Sequence, residues 1–188
     1  MMGARARRVV PGAGGPEVQL LDARDRDLDA EGLREWARVL TVASGVRFVS
    51  RSYRYPYAVV GWHRDPIGVD IETIGPYDEA LADVICTPSE RSDLSSRADL
   101  GAHLTSLWCA KEALAKALGD ALAYDPARLE SPAHWSSRRG GRWGAMPLAD
   151  PPEGHAAWVC WRVAEPVRIG SRALSVGGNE SGASRPSR

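Results

Sequence analysis

The sequence predicts an α+β fold, and three patterns carry that prediction. Apolar residues keep helical spacing in two stretches, Leu33 to Leu40 and Leu100 to Leu118. Short β-branched and aromatic runs, bounded by Ser, Pro, Asp and Gly, read as strands between and after them. The order helix, strands, helix, strands suits an α+β chain, with two similar halves meeting face to face. At 188 residues and 44% apolar, with seven Trp, the chain can fill the core of one domain or of two small halves packed as one unit.

The elements follow in order. Residues 1–15, rich in Gly, Arg and Pro, are expected to be loose. Asp29 is placed to cap a helix bearing Leu33, Trp36, Ala37 and Leu40, running to about Val42 and ended by Gly45. Val46 to Val49, Tyr57 to Trp62 and Ile67 to Ile71 read as three strands. A short helix over Asp78 to Val84 precedes Thr87-Pro88-Ser89-Glu90, a capping box with Pro at the first helical position. Leu100, Leu104, Leu107, Lys111, Leu114 and Leu118 mark the longest helix, stopped by Gly119. Arg128 to Trp135, Gly141 to Ala145 and Ala156 to Val163 read as strands, the last apolar enough to be central. From Ser171 the Ser, Gly, Arg and Pro composition predicts a disordered tail. The expected organisation is a loose start (1–15), a folded unit (16–170, with halves 16–75 and 76–170) and a tail (171–188).

Composition narrows the function classes. Lys plus Arg and Asp plus Glu are both 24, so overall charge makes no case for nucleic acid or membrane binding. Cys86, Cys109 and Cys160 are too scattered for a disulfide framework or zinc site and suit a reducing compartment. No 18-residue apolar run exists, and the arginines near the start lack the apolar segment of a secretory signal, so the cytoplasm is the expected location. The histidines (His63, His103, His134, His155) never take metal-ligand spacing, and no nucleophile-elbow or phosphate-loop glycine pattern occurs.

Lysine usage is more informative. Of 24 basic residues only Lys111 and Lys116 are lysines, and they share one helix. Where Arg serves almost everywhere, the exceptions point to sites that need a compact ammonium, with chance as the competing reading. Glu112 and Lys116 are i, i+4 neighbours, with Trp108 one turn before Glu112; alone, such a pair reads equally as a surface ion pair beside a core Trp. The second concentration of chemistry is Gly68-Val69-Asp70-Ile71-Glu72. Strand alternation puts Asp70 and Glu72 on one face, where two carboxylates repel unless a cation lies between them. Oxygen ligands suit a hard cation such as magnesium, although an isolated Asp-x-Glu is more often a solvated face.

An Asp-x-Glu strand followed some forty residues later by Trp-x-x-Lys-Glu-x-x-x-Lys closely resembles the paired signature of the 4'-phosphopantetheinyl transferase superfamily. The resemblance runs from about Arg47 to Val163 and is sharpest from Gly68 to Gly119. It implies a pseudo-dimer of two α+β halves, like the surfactin-synthetase-activating type with a shortened first half, and a monomeric enzyme. The implied reaction moves phosphopantetheine from coenzyme A to a serine of an acyl or peptidyl carrier protein. Asp70, Glu72 and Glu112 are then implied to hold Mg2+ against the coenzyme A pyrophosphate. Glu112 is implied as base, metal ligand or both, and Lys116 as the group that meets the leaving adenosine 3',5'-bisphosphate. Lys111 falls within the motif but could face solvent or the carrier, and Trp108 reads as packing.

Three departures from the family pattern bear on coenzyme binding. Where the family has Ser-His-Ser, this chain has Ser50-Arg51-Ser52, and Ser50 and Arg51 become the candidate phosphate-binding residues, a guanidinium replacing the imidazole. The Gly-Lys-Pro loop and most of the basic N-terminal clamp are missing, and Gly119-Asp120-Ala121 stands in place of Gly-Lys-Gly. A non-catalytic relative that binds coenzyme A or a carrier protein is the competing expectation.

Overall fold

A computed structural model of the chain describes residues 7–9, 15–135, 139–140 and 142–163. The first unit contains β1 (Arg7–Val9), β2 (Glu17–Asp22), α1 (Ala30–Ala43), β3 (Phe48–Arg54) and β4 (Tyr57–His63). The second contains β5 (Ile67–Thr73), α2 (Glu79–Ile85), α3 (Pro88–Leu94), α4 (Leu100–Leu118), β6 (Arg139–Gly140), β7 (Trp143–Pro147) and β8 (His155–Arg162). Each unit has a four-stranded sheet, ordered β1-β2-β4-β3 and β5-β8-β7-β6, and every described pairing is antiparallel. Both contain the same path of strand, long helix and hairpin, with the last strand in the middle: β2-β4-β3 and β5-β8-β7.

Strand alternation assigns the layers. Ala58 and Val60 of β4 pack with Leu21 against Leu33, Trp36 and Ala37 of α1. Val59 between them faces the other way, and with Val18 meets Ile67, Val69, Ile71 and Val159 of the second sheet. The opposite face of that sheet, through Trp158 and Cys160, receives Cys109, Ala110, Ala113 and Leu114 of α4. The layers therefore run α1, first sheet, second sheet, α4. Burying a Val, Leu or Ile side chain is worth about 1.5–3 kcal/mol, so the inter-sheet cluster is the main cohesive term between the units.

Most helix ends obey their local signals. Asp29 accepts from the Gly32 N–H at the start of α1, and Thr87 with Glu90 closes the capping box of α3. Gly119 ends α4 in the left-handed region at φ 88°.

Several expectations need correction. The strand expected over Arg128 to Trp135 is instead two 3-10 turns, Pro126–Arg128 and Pro132–His134. Pro at the first position of each, and the Asp125 and Ser131 side chains accepting from the Ala127 and Ala133 N–H groups, favour turns over a ladder. Arg7–Val9, expected to be loose, pairs with β2. β2 itself escapes a search for alternation because it is covered on both faces: Leu20 joins the inter-sheet cluster and Leu21 the α1 cluster. β3 starts and ends later than expected, its register set by pairing from Phe48 with His63 to Arg54 with Tyr57. The change of sheet falls between β4 and β5. Residues 171–188 and Gly141 lie outside the described residues. Among the described residues no helix is long and apolar enough to cross a membrane.

Candidate active site

Gly68 decides how closely α4 can lie on β5. A Cβ there would stand 1.9 Å from the Ala113 carbonyl oxygen and 2.7 Å from the Ala117 amide nitrogen, so only glycine permits the contact. That approach carries Lys116 across β5. Its Nζ donates to Asp70 Oδ1 at 2.6 Å and to the Val69 carbonyl at 3.3 Å. From the neighbouring edge of the first sheet, the Ser52 hydroxyl donates to the same Oδ1 at 2.7 Å. The Asp70 side chain is only 3% exposed, and its Oδ2 is buried without a hydrogen-bond partner. A buried carboxylate oxygen left unpartnered is costly and marks a place where a further donor or a cation belongs.

Glu72 lies two residues further along the same strand face. Arg54 Nε donates to its Oε2 at 2.7 Å, and the two form an ion pair. Burial, and next the charge of Asp70, raise the Glu72 carboxyl above its ordinary range, while Arg54 and Lys116 pull the other way. Glu112, one helical turn before Lys116 on α4, accepts from the Tyr124 hydroxyl at 2.5 Å. Burial and the bond to Glu112 push that hydroxyl well above the usual tyrosine range, so it remains a donor.

These side chains line one open groove of about 460 Å³. Asp70, Glu72, Glu112 and Lys116 share it with Trp108, Ser52 and Tyr53, and with three arginines: Arg34 from α1 and Arg51 and Arg54 from β3. Arg51 donates to Thr41 Oγ1 on α1 at 3.1 Å, and the Arg34 guanidinium lies 5.8 Å from the centre of the Tyr53 ring. The groove thus combines three carboxylates with Lys116 and three arginines, a lining that suits a phosphate-bearing ligand brought to a carboxylate site.

Ser50 is placed differently from its partners. Its hydroxyl accepts from the Val69 N–H at 3.0 Å, satisfying the outer edge of β5, and it is not among the groove-lining residues. Ser50 and Ser52 together therefore fasten β3 to β5 where no backbone ladder joins them. Lys111, for which solvent or a carrier surface was open, faces neither. It is fully buried and donates to Glu90 Oε2, the Ile85 carbonyl and the Pro126 carbonyl at 2.6, 2.5 and 2.8 Å. Trp108, expected to fix α4 against the strand, packs instead on the cluster that contains Ile85 of α2 and Leu94 of α3, and also forms part of the groove wall.

The oxygen-only donor set suits a hard cation chemically; Asp70 Oδ2 is buried, and the Asp70 carboxylate also interacts with the Cys109 thiol. Among the described residues, no three acidic, His or Cys groups stand close enough to hold a metal as the side chains lie. Glu72 is engaged by Arg54 and Glu112 by Tyr124, so filling the set requires these carboxylates to turn toward Asp70.

Sequence reasoning missed Arg34, Tyr53 and Tyr124. Arg34 is one arginine among many on an exposed helix face, and nothing in its spacing marks it. Tyr124 follows Gly119 within a short turn; a tyrosine returning along a helix that carries an isolated Glu was the available signal.

Compared with individual curated proteins, the chain has no match. Compared with protein families, residues 66–161, a little over half of the 188, match the 4'-phosphopantetheinyl transferase superfamily. The matched segment opens at β5, closes in β8 and contains Asp70, Glu72, Glu112 and Lys116. The chain belongs to the 4'-phosphopantetheinyl transferase superfamily.

Proposed function

We propose that this groove transfers the 4'-phosphopantetheine group of coenzyme A to a serine of an acyl or peptidyl carrier protein, releasing adenosine 3',5'-bisphosphate. The observation that carries the reading is the buried, unpartnered Asp70 Oδ2 beside Glu72, Glu112 and Lys116, within the segment that matches the family. Asp70, Glu72 and Glu112 are the residues that would hold Mg2+, which when bound supplies charge neutralisation at the pyrophosphate.

The remaining chemistry is assigned to the chain itself. The serine oxygen forms a bond to the β-phosphorus as the bond from that phosphorus to the bridging oxygen breaks. Glu112 takes the serine proton, directly or through a water, and Lys116 meets the charge growing on the departing phosphate. Arg51, with Arg34 and Arg54 in the same groove, binds the coenzyme phosphates. Ser50 contributes by holding β3 against β5, which keeps Arg51 and Ser52 at the groove.

The wider reading is a monomeric, cytoplasmic enzyme built as a pseudo-dimer, and the shared strand, helix and hairpin path of the two units supports the last point. The test is the intact mass of an apo carrier protein incubated with this protein, coenzyme A and MgCl2. A gain of one phosphopantetheine that a chelator abolishes is the expected result. Absence of any gain with several carriers, while coenzyme A still binds by calorimetry, would instead identify a non-catalytic relative.

A further inference from the structure

The three arginines of the groove are held in different ways. Arg51 donates to the Thr41 hydroxyl and Arg34 lies beside the Tyr53 ring, so neither is paired with an acid among the described residues. Arg54 is bound to an acid of the same groove. Its Nε donates to Glu72 Oε2 at 2.7 Å, its Nη2 pairs with that same oxygen, and its Nη1 donates to the Tyr53 carbonyl at 3.2 Å. A cation suited to a phosphate and a carboxylate suited to the other side of the reaction thus neutralise each other.

The two partners differ in freedom. Glu72 rises from β5, which is paired along its length with β8, and its side chain is 14% exposed. Arg54 is the last residue of β3, at the edge of the first sheet, and its side chain is 47% exposed. The long arginine side chain can therefore leave while both strands stay in place. The bond it would leave is also imperfect. Nε and Nη2 converge on one carboxylate oxygen rather than engaging two, so the parallel fork that guanidinium forms best is not made here. A phosphate offers that fork and more negative charge, and a half-exposed ion pair resists it by only about 2- to 5-fold in equilibrium.

We infer that Arg54 is a latch with two alternative partners, holding Glu72 until a phosphate of the incoming coenzyme draws it away and releases that carboxylate into the groove. The inference rests on the proposed reading that this groove takes coenzyme A. It orders the events at the site: Glu72 becomes available only when the coenzyme is in place. Coenzyme binding and release of Glu72 are then one coupled equilibrium, and whatever favours one favours the other.

The experiment is calorimetric titration of the purified full chain with coenzyme A in buffer containing EDTA, in four forms: wild type, Glu72→Gln, Arg54→Ala and the double variant. Glu72→Gln keeps the shape of the side chain and removes its charge, so coenzyme A should bind about 2- to 5-fold more tightly than to wild type. A misfolded variant could not produce that gain. Arg54→Ala loses the phosphate contact and should bind roughly 10-fold more weakly. In the Arg54→Ala background, Glu72→Gln should bring no further change, because its effect runs through Arg54. Equal tightening in both backgrounds would show a general effect of removing negative charge and would overturn the inference. Unchanged or weaker binding by Glu72→Gln, or unchanged or tighter binding by Arg54→Ala, would overturn it too. If no form bound coenzyme A, the coenzyme reading itself would fall, and the latch with it.

Discussion

The chain's two lysines stand in ion pairs of opposite character. Lys111 and Glu90 are both fully buried, and every polar atom of the pair is used. The ammonium has three oxygen partners, while Glu90 Oε2 also accepts from the Thr87 N–H and Oε1 from the Ser131 N–H. The pair joins the end of α2, the start of α3, α4 and the two 3-10 turns. Lys116 and Asp70 are as close, yet Lys116 is 24% exposed and Asp70 keeps one buried oxygen without a partner. A completed polar network fixes a fold, whereas an incomplete one beside an open groove is available to a ligand. The same residue type, five positions apart on one helix, is a structural tie in one case and, on the proposed reading, a working group in the other.

The largest expected effect lies at the incomplete site. Glu112→Gln should lower the transfer rate by about 10²–10⁴-fold, the range for loss of a general base, with the unfolding temperature close to wild type. A normal rate in a mass-based assay would remove Glu112 from the chemistry. At the complete site the effect falls on folding instead. Lys111→Met leaves Glu90 buried and uncompensated, which should cost about 3–5 kcal/mol in denaturant unfolding. A loss below about 1 kcal/mol, as for an exposed pair, would break the contrast between the two lysines.

Gly68→Ala tests the contact that makes the groove. The added methyl meets the Ala113 carbonyl, so α4 must shift, at about 1–3 kcal/mol of stability, and transfer should fall as Lys116 leaves Asp70. Unaltered stability and rate would show that the helix position does not set the site.

The smallest effect concerns the surface beside the buried tie. His134 contacts Asp93 of α3 at 2.7 Å and Glu130 at 3.3 Å, and the bond to Asp93 raises its pKa above the ordinary histidine value. A raised histidine stabilises the fold fully below its unfolded pKa and loses that contribution as pH rises through the folded value. Asp93 is half exposed, so the term is about 1 kcal/mol or less. Wild type should exceed His134→Ala in unfolding temperature at pH 5, and the gap should close by pH 8; a gap that widens with pH would reverse the assignment.

Much of this was legible in the sequence because its signals are local. Asp29, the Thr87 to Glu90 capping box and Gly119 each act within a few residues, and each sits at the helix end where it was read. Asp70, Glu72, Glu112 and Lys116 were legible as motif residues, and the structure places them on one groove. What escaped depends on tertiary neighbours. β2 is buried on both faces by elements far along the chain, and the turns after Pro126 and Pro132 override residues that favour strands. Arg34 reaches the groove only because α1 packs across the first sheet, and Lys111 is buried only because α2, α3 and the turn at Pro126 close over it.

The most direct test of the account is the intact mass of an apo carrier protein treated with coenzyme A, MgCl2 and either wild type or Asp70→Asn. The account predicts a gain of one phosphopantetheine with wild type and none with Asp70→Asn, which keeps one oxygen to accept from Lys116 and Ser52 but loses the charge that pairs with Lys116. An equal gain with both proteins would contradict it, showing that the unpartnered Asp70 carboxylate is not where the chemistry is assembled.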